Sequence, residues 1–375
     1  KHGEDSYYLG DKKIPKVPLV CSSGSISLDN ALCIGGFPEG RVIEIGGQES
    51  SGKSTLTLIN IAEIQRNGKL CAYIDAEQSF DPVWAAKMNV DVEKLLVTQP
   101  DTMEEAFEGL YSIMDSGVVS YVVIDSTNAL TPRRVFEGDD VGDATMALAA
   151  RILSQELPKI ASKCAQTKCT VVFLSQVRSG MDKYHPEVIG RGNALKFTAS
   201  IRIKTSKADV EKDDGDEGQS KVTVRMNVFK NKVGIPFKKA EFTLLTGENG
   251  KYGIDTNKEI MEFGVKFDII KRTGAWYTYG ENRFQGFDNV VKFFNENPSV
   301  YAEVRETIMS KLAEERDKEQ HISADDSFNS TLKEVVEENE KPKRARKSKM
   351  EGNMEELSIV EAKVSDAEVV EEKSE

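Results

Sequence analysis

The chain is short of the features that mark several protein classes. Its five cysteines, Cys21, Cys33, Cys71, Cys164 and Cys169, form no C-x-x-C pair, and no histidine lies near Cys164 or Cys169. Reduced thiols are therefore expected rather than zinc ligands or a disulfide framework. No apolar run approaches the ~20 residues that span a bilayer. The front carries no basic, apolar, small-residue signal, so no membrane partner is expected and the cytoplasm is the default location. Histidine is scarce, with three in the chain. His185 falls in a long aperiodic stretch and makes no case for catalysis by itself. Positive charge is also in deficit: 50 Lys and Arg stand against 62 Asp and Glu, for a net charge of −12. That balance argues against nucleic-acid binding only if charge is spread evenly. Much of the acid lies after Lys311, so the part before it is closer to neutral and binding could be local.

What is present suits a folded α/β chain. Its 375 residues are enough for one large domain and a small one. A hydrophobic content of 39% with 30% charged residues fits a globular body with a polar appendage. Residues 1–35 read as a lead-in, with Ser23-Gly24-Ser25-Ile26-Ser27-Leu28-Asp29 as a turn and helix start. From Arg41 to about Leu245, short apolar strands alternate with helices. Arg41–Gly46, Leu70–Ile74, Tyr121–Ile124 and Thr170–Leu174 are the expected strands. Ser54–Arg66, a helix opened by the capping box Thr102-Met103-Glu104-Glu105, and Ala144–Ala165 with Pro158 inside it are the helices. The capping box rests on reciprocal side-chain and main-chain pairing. Such alternation implies a mostly parallel sheet covered on both faces. Strands near Ser200–Thr205, Val222–Phe229 and Glu241–Leu245 extend it in antiparallel fashion, around an exposed mobile loop at Lys207–Ser220. The domains expected are a nucleotide-binding core at 36–246 and a small α+β domain at 247–312, then a charged, disordered acidic tail at 313–375. A basic island, Lys341–Lys349, lies within that tail.

The strongest chemical signal is Gly47-Gln48-Glu49-Ser50-Ser51-Gly52-Lys53-Ser54, which matches G-x-x-x-x-G-K-[ST] between a strand and a helix. Glycines let main-chain N–H groups curl around phosphate oxygens, and the helix N-terminus adds its positive dipole end. Lys53 would reach the β- and γ-phosphates of ATP, and the Ser54 hydroxyl would ligate Mg²⁺. Thr55 follows them among the expected binding residues. Asp125 ends a buried strand, the place for a carboxylate that holds the magnesium through water. Glu77 follows another apolar strand and could polarise the water attacking the γ-phosphate, with Asp75 the competing choice. Gln176 ends the strand TVVFLSQ, where an amide could sense the γ-phosphate. Val177–Gly192 reads as a long loop that is functional or disordered, and Glu137–Thr145 is a second candidate loop.

Taken in order, GQESSGKSTLTL, YIDAEQSFDP, LLVTQPDT, VVIDSTNALTP, GNALKF, FKNKVGIPFKKAEF and GAWY resemble the bacterial RecA recombinase family over about Gly3 to Leu312. The fold implied is a P-loop RecA-like α/β ATPase core, a mostly parallel twisted sheet flanked by helices, with a small α+β C-terminal domain. The activity implied is DNA-dependent ATP hydrolysis by a filament on single-stranded DNA that carries out homologous pairing and strand exchange. Stimulated self-cleavage of a repressor is a further activity of that family. By resemblance, Glu77 is the catalytic carboxylate, Gln176 couples the γ-phosphate to a DNA-binding loop, and Asp81 and Trp84 hold the adenine. Lys230 and Lys232 would reach the ATP of a neighbouring subunit and act as an arginine finger does. Lys196 and Phe197 would lie at the subunit interface. Met146, Arg151, Arg178, Arg191, Gly192 and Asn193 are the residues expected on single-stranded DNA, where phosphate contacts give affinity without sequence information. The C-terminal segment with Lys271-Arg272 and GAWYTY resembles the part that gathers duplex DNA, and an acidic tail could compete for that basic surface. Single-strand-binding protein and repressor-type proteins complete the implied partners.

The chain also departs from the family pattern. Lys1-His2-Gly3-Glu4-Asp5 already matches the region after the family's N-terminal polymerisation helix, so that arm is expected to be missing. Trp84 stands where a tyrosine is usual, and Gly190-Arg191-Gly192-Asn193 replaces a double glycine before the asparagine. Ser175 replaces a usual asparagine. Such divergence suits a phage or accessory recombinase as well as a housekeeping one. The rival readings are a hexameric helicase on the same fold and a filament scaffold that does not exchange strands.

Overall fold

The computed structural model describes residues 18–138, 143–182, 185–189, 193–212, 220–247 and 250–340. Strands β1 (Leu19–Cys21) and β2 (Phe37–Pro38) pair with each other around helix α1 (Ile26–Ala31). Then come β3 (Val42–Gly47), α2 (Lys53–Arg66), β4 (Leu70–Asp75), α3 (Pro82–Lys87), β5 (Leu95–Thr98), α4 (Met103–Asp115) and β6 (Val119–Asp125). They are followed by α5 (Arg133–Phe136), α6 (Asp143–Thr167), β7 (Thr170–Asp182), β8 (His185–Ile189), α7 (Ala194–Thr198) and β9 (Ile201–Lys212). Strands β10 (Ser220–Asn231), β11 (Lys238–Thr246) and β12 (Tyr252–Ile254) close the large sheet. Its order is β12-β11-β10-β9-β3-β7-β6-β4-β5, with β8 paired to β7. The pairs from β9 through β3, β7, β6 and β4 to β5 are parallel, and β9 through β12 are antiparallel.

Period-two alternation along the central strands sorts their side chains into two cores. On β6, Tyr121 and Val123 pack with Leu56, Ile61 and Leu28 from α2 and α1. Val122 and Ile124 face the other way, toward Phe107, Leu153 and Leu157 from α4 and α6. Pro158 lies inside α6 without ending it. The Thr102 hydroxyl accepts from Glu105 N at 3.2 Å, as the capping box requires. The returning Glu105 carboxylate takes Asp101 N at 3.2 Å, one residue earlier than the motif predicts.

Three stretches differ from the sequence expectation. Among the described residues of Val177–Gly192, which leave out 183 and 184, β7 continues to Asp182 and pairs with β8, Val177 opposite Ile189. Residues 190–192 lie outside the described residues. Likewise β9 and β10 extend into the supposed mobile loop, Val210 opposite Val222 and Lys212 opposite Ser220, with residues 213–219 outside the description. The arm from Ser206 to Glu211 is exposed throughout. A ladder held by main-chain pairing with no buried face leaves no apolar period to read. The boundary expected at residue 312 falls inside one helix, α10 (Pro298–Glu340), because no glycine or further proline interrupts that run.

The C-terminal elements α8 (Thr256–Lys266), β13 (Lys271–Thr273), β14 (Trp276–Tyr279), β15 (Asn282–Gln285) and α9 (Phe287–Glu296) precede α10. Ile260, Ile270, Val290, Phe294, Val304 and Ile308 form their core, which also takes in Ile26 of α1. One carboxylate secures this junction. Glu259 of α8 accepts from Ser25 Oγ at 2.6 Å, Ser27 N at 2.9 Å and Ile26 N at 3.1 Å, so it covers the N-terminus of α1. Asp29, in the same buried cluster, accepts from Ser23 N at 2.7 Å and from the Ser22 hydroxyl. Burial pushes the Glu259 carboxyl up to about 7 and that of Asp29 up to about 6, against the hydrogen bonds that favour their charged forms.

Candidate nucleotide site

The loop between β3 and α2 is shaped by close packing. Gly47 has no room for a side chain: a Cβ there would lie 2.4 Å from Thr205 Cγ2 and 2.7 Å from Thr205 O. Gly52 takes a left-handed φ of 86° as the residue before α2, and no side chain caps that helix. Its first turn holds no acidic residue. The uncapped N–H groups and the dipole therefore favour an anion at this end. Thr205 Oγ1 donates to Ser51 O at 2.8 Å and pins the loop from the β9 side. The Ser51 hydroxyl is buried with no partner, an orphan donor within the phosphate loop. Such an atom is expected where a ligand supplies the acceptor.

Lys53 is buried, and its ammonium donates to Gln48 O at 2.8 Å and Gly47 O at 3.1 Å. Burial lowers its pKa, opposed by Asp125, Glu77 and Glu49. The Ser54 hydroxyl donates to Asp125 Oδ2 at 2.7 Å, so the two residues expected to hold Mg²⁺ are in direct contact. Tyr73 OH donates to the same oxygen at 2.6 Å, a partner that sequence reasoning missed. Burial raises the Asp125 carboxyl, while the Tyr73 and Ser54 hydrogen bonds act the other way. A hydroxyl beside a buried carboxylate is a fitting donor set for a hard, oxygen-seeking cation.

The choice between Asp75 and Glu77 has a clear geometry. Asp75 is buried and accepts from Phe80 N and Gln99 Nε2, both at 2.9 Å, which ties it to the turn after β4. Glu77 is exposed, with its main chain anchored because Ala76 N and Glu77 N donate to Asp125 O at 2.8 and 3.2 Å. Its Oε1 accepts from the Ser126 hydroxyl and from Gln176 Nε2, the latter at 3.3 Å. Gln176 stands opposite Gly47 in the β3–β7 register, which is why a residue 129 positions on sits at the mouth of the loop. Lys53, Ser54, Asp125, Glu77 and Gln176 are thus gathered at the C-terminal ends of β3, β4 and β6 and at the last β7 residue paired with β3, where ligands of parallel sheets bind.

Behind the loop, polar side chains continue through the sheet. Asn128 Oδ1 accepts from Gln176 N at 2.8 Å, and Thr127 Oγ1 lies 3.0 Å from Ser175 Oγ. Ser175 donates to Glu44 Oε1 at 3.0 Å, and Arg202 pairs with Glu44 Oε2. The Arg202 guanidinium also lies 4.8 Å from the Phe229 ring centre. Burial raises the Glu44 carboxyl even though Arg202 opposes it. Motif reading assigned none of these residues a role in the site.

The other expected residues are spread more widely. Asp81 caps α3, accepting from Val83 N at 2.8 Å and Trp84 N at 3.2 Å. Trp84 is half-buried, and its ring meets Tyr252 edge-on at 5.9 Å. Lys230 donates to Lys196 O at 2.6 Å and Phe197 O at 3.2 Å, at the C-terminal end of α7. Burial, then the neighbouring Lys232 and Arg202, lowers its pKa. Phe197 is 69% exposed, a large apolar ring with no cover in the single chain. Arg151 is exposed on α6 and Asn193 is exposed ahead of α7. Met146 lies in α6 and Arg178 in β7, while Arg191 and Gly192 are outside the described residues. No helix among the described residues is long and apolar enough to cross a membrane.

Two family models match the chain, one after the other. The RecA N-terminal domain matches residues 1–251, and the RecA C-terminal domain matches residues 258–313.

Proposed function

We propose, from the premise that this chain belongs to the RecA family, that it hydrolyses ATP when filamented on single-stranded DNA and uses that cycle for homologous pairing and strand exchange. Stimulation of repressor self-cleavage is a further activity under this reading. The observation that carries it is the cluster at the strand ends, where Ser54 bonds Asp125 and Gln176 bonds Glu77 beside the buried Lys53.

Each group has a task in phosphoryl transfer. The loop from Gly47 to Ser54, with Thr55, offers main-chain N–H groups and the Ser51 hydroxyl to the phosphates. Lys53 supplies a fixed positive charge to the β- and γ-oxygens. Ser54 and, through water, Asp125 would hold Mg²⁺, which when bound neutralises charge on the phosphate oxygens. Glu77 orients a water and accepts its proton as the water oxygen bonds the γ-phosphorus and the bond to the β–γ bridging oxygen breaks, releasing ADP and phosphate. Gln176 shares the Glu77 oxygen, so its amide is placed to exchange that bond for one to the γ-phosphate and to pass the change along β7. Asp81 and Trp84 flank the adenine. Lys230 and Lys232 are assigned to the phosphates of a neighbouring subunit, with Lys196 and Phe197 on the shared face.

DNA contact is assigned to Arg151 and Asn193 among the described residues, together with Met146, Arg178, Arg191 and Gly192. Duplex DNA is assigned to the sheet β13–β15, where the Arg283 guanidinium lies 4.4 Å from the Trp276 ring centre. Single-strand-binding protein is the accessory partner expected on the same DNA.

The test is steady-state ATP hydrolysis with and without single-stranded DNA, with Glu77→Gln alongside. Removing a catalytic base lowers turnover by roughly 10²–10⁴-fold. DNA should raise turnover strongly in the wild type, and Glu77→Gln should abolish that rise while still binding nucleotide. ATP binding with no response to DNA would count against the recombinase assignment. Unwinding of a forked duplex would favour the helicase reading instead.

A further inference from the structure

Gln176 needs more than its place in β7 to point at Glu77, and the part of the site that holds it is unusual in composition. Its main-chain N–H donates to a side chain, Asn128 Oδ1, at 2.8 Å. Asn128 comes from the turn after β6, 48 positions earlier, and is only 9% exposed. The turn itself is fixed by main-chain bonds, Thr127 N to Leu174 O at 2.8 Å and Ala129 N to Ser126 O at 3.1 Å. The other half of the carboxamide, Nδ2, is buried and has no partner. A buried donor left unpaired opposes folding, so the Nδ2 half of this amide adds nothing to stability. A hydrophobic residue of similar size would leave Gln176 N bare. An aspartate would accept equally well, but it would add a buried negative charge to a region already holding Asp125, Glu77 and Glu44. A neutral acceptor meets both constraints, and asparagine is one.

The neighbouring position sharpens the point. Ser175, beside Gln176 on β7, has its short hydroxyl engaged with Thr127 and Glu44. The amide at this level of the site is instead supplied from across the sheet, by residue 128.

We infer that Asn128 is a positioning residue for the reaction at this site, holding the main chain of Gln176 so that its side chain meets Glu77 and the γ-phosphate. The inference rests on the ATPase reading above for its functional consequence, though not for its geometry. Asn128 itself touches no reacting atom. Its removal leaves the phosphate loop intact and loosens the element that answers the phosphate.

Two measurements on the full chain test it. The first is amide hydrogen exchange at Gln176, which needs no activity. Asn128→Ala should raise exchange at Gln176 selectively, while Thr127, whose N–H bonds Leu174 O, stays protected. Unchanged protection at Gln176 would overturn the inference. The second is a double-mutant cycle in DNA-stimulated ATP hydrolysis, which separates action through Gln176 from general loosening. Asn128→Ala should lower kcat about ten-fold, the scale of one lost hydrogen bond at a reacting centre, with KM for ATP within about two-fold of wild type. In a Gln176→Ala background the same substitution should do nothing further. Losses that add in the double variant, or that appear in KM alone, would overturn it. A wild type that DNA does not stimulate would remove the recombinase reading, and the exchange measurement would still decide whether Asn128 holds Gln176.

Discussion

Arg202→Met isolates the consequence of a buried charge beneath the nucleotide site. Glu44 and Arg202 face each other across β3 and β9, and their side chains are 2% and 9% exposed. Methionine keeps an unbranched apolar side chain in the space and removes the guanidinium, together with its contact on the Phe229 ring. Glu44 then keeps the Ser175 hydroxyl as a hydrogen-bond donor and the charge of Lys230. Removing one member of a buried ion pair costs about 3–5 kcal/mol, because the survivor keeps its desolvation penalty. At roughly 2–4 °C per kcal/mol for a domain of this general size, the midpoint of thermal unfolding should fall by about 6–20 °C at pH 8. The loss should depend on pH in one direction. Burial already holds the Glu44 carboxyl above its usual value with Arg202 present, and without the guanidinium it rises further. The protonated form is the one the folded state tolerates, so stability is retained in acid and lost as pH rises through the folded value. Differential scanning calorimetry from pH 5.5 to 8.5 would read this. The double variant Glu44→Leu/Arg202→Met should recover most of the deficit, since a packed apolar pair carries no buried charge. A single variant equally impaired at both ends of the pH range, or a double variant no better than the single, would refute the reasoning.

Other outcomes follow from the same geometry. Gly47→Ala drives a methyl into Thr205 Cγ2 and the rigid Thr205 carbonyl; nucleotide affinity by fluorescence titration should fall at least about ten-fold even where the chain folds, since overpacking typically costs about 1–3 kcal/mol. Glu259 rises from the usual 4.5 to about 7 on folding, so its contribution is full below about 4.5 and declines as pH increases through 7. Chemical denaturation should accordingly show the gap between wild type and Glu259→Gln narrowing from pH 5 to 8, and a gap that widened would contradict the assignment. Lys230→Met should leave the stability of the isolated chain within about 1–2 kcal/mol, the scale of the half-buried ammonium's bonds to Lys196 O and Phe197 O. It should still suppress DNA-stimulated turnover, and full turnover would remove Lys230 from the reaction.

Much of this architecture can be read along the chain wherever its cause is local. The phosphate loop declares itself because its glycines and Lys53 lie within eight consecutive residues. Ser25 and Thr102 could be read as caps for the same reason: each bonds a main-chain N–H three positions on. Asp125 was found by its place at the end of an apolar run. Tyr73, Asn128, Glu44 and Arg202 could not be found this way, because their partners are set by which strand lies beside which. Glu44 meets Arg202 only because β9 adds to β3 in register, 158 residues later. The arms of β7–β8 and β9–β10 escaped for a different reason, since their polar runs carry no period that separates strand from loop.

Glu259 has a meaning for inheritance. The carboxylate that closes the amino end of α1 is supplied by a helix more than 230 residues away. The C-terminal portion is therefore not a cassette that relatives can trade freely. A chimera joining residues 1–251 of this chain to a foreign C-terminal portion would have to import an acid in register with Ser25, Ile26 and Ser27. Otherwise it would leave the buried Ser25 hydroxyl and Ile26 N–H without their acceptor. The two halves have to be transmitted as a matched pair, even though the chain between them is continuous and each is recognisable by itself.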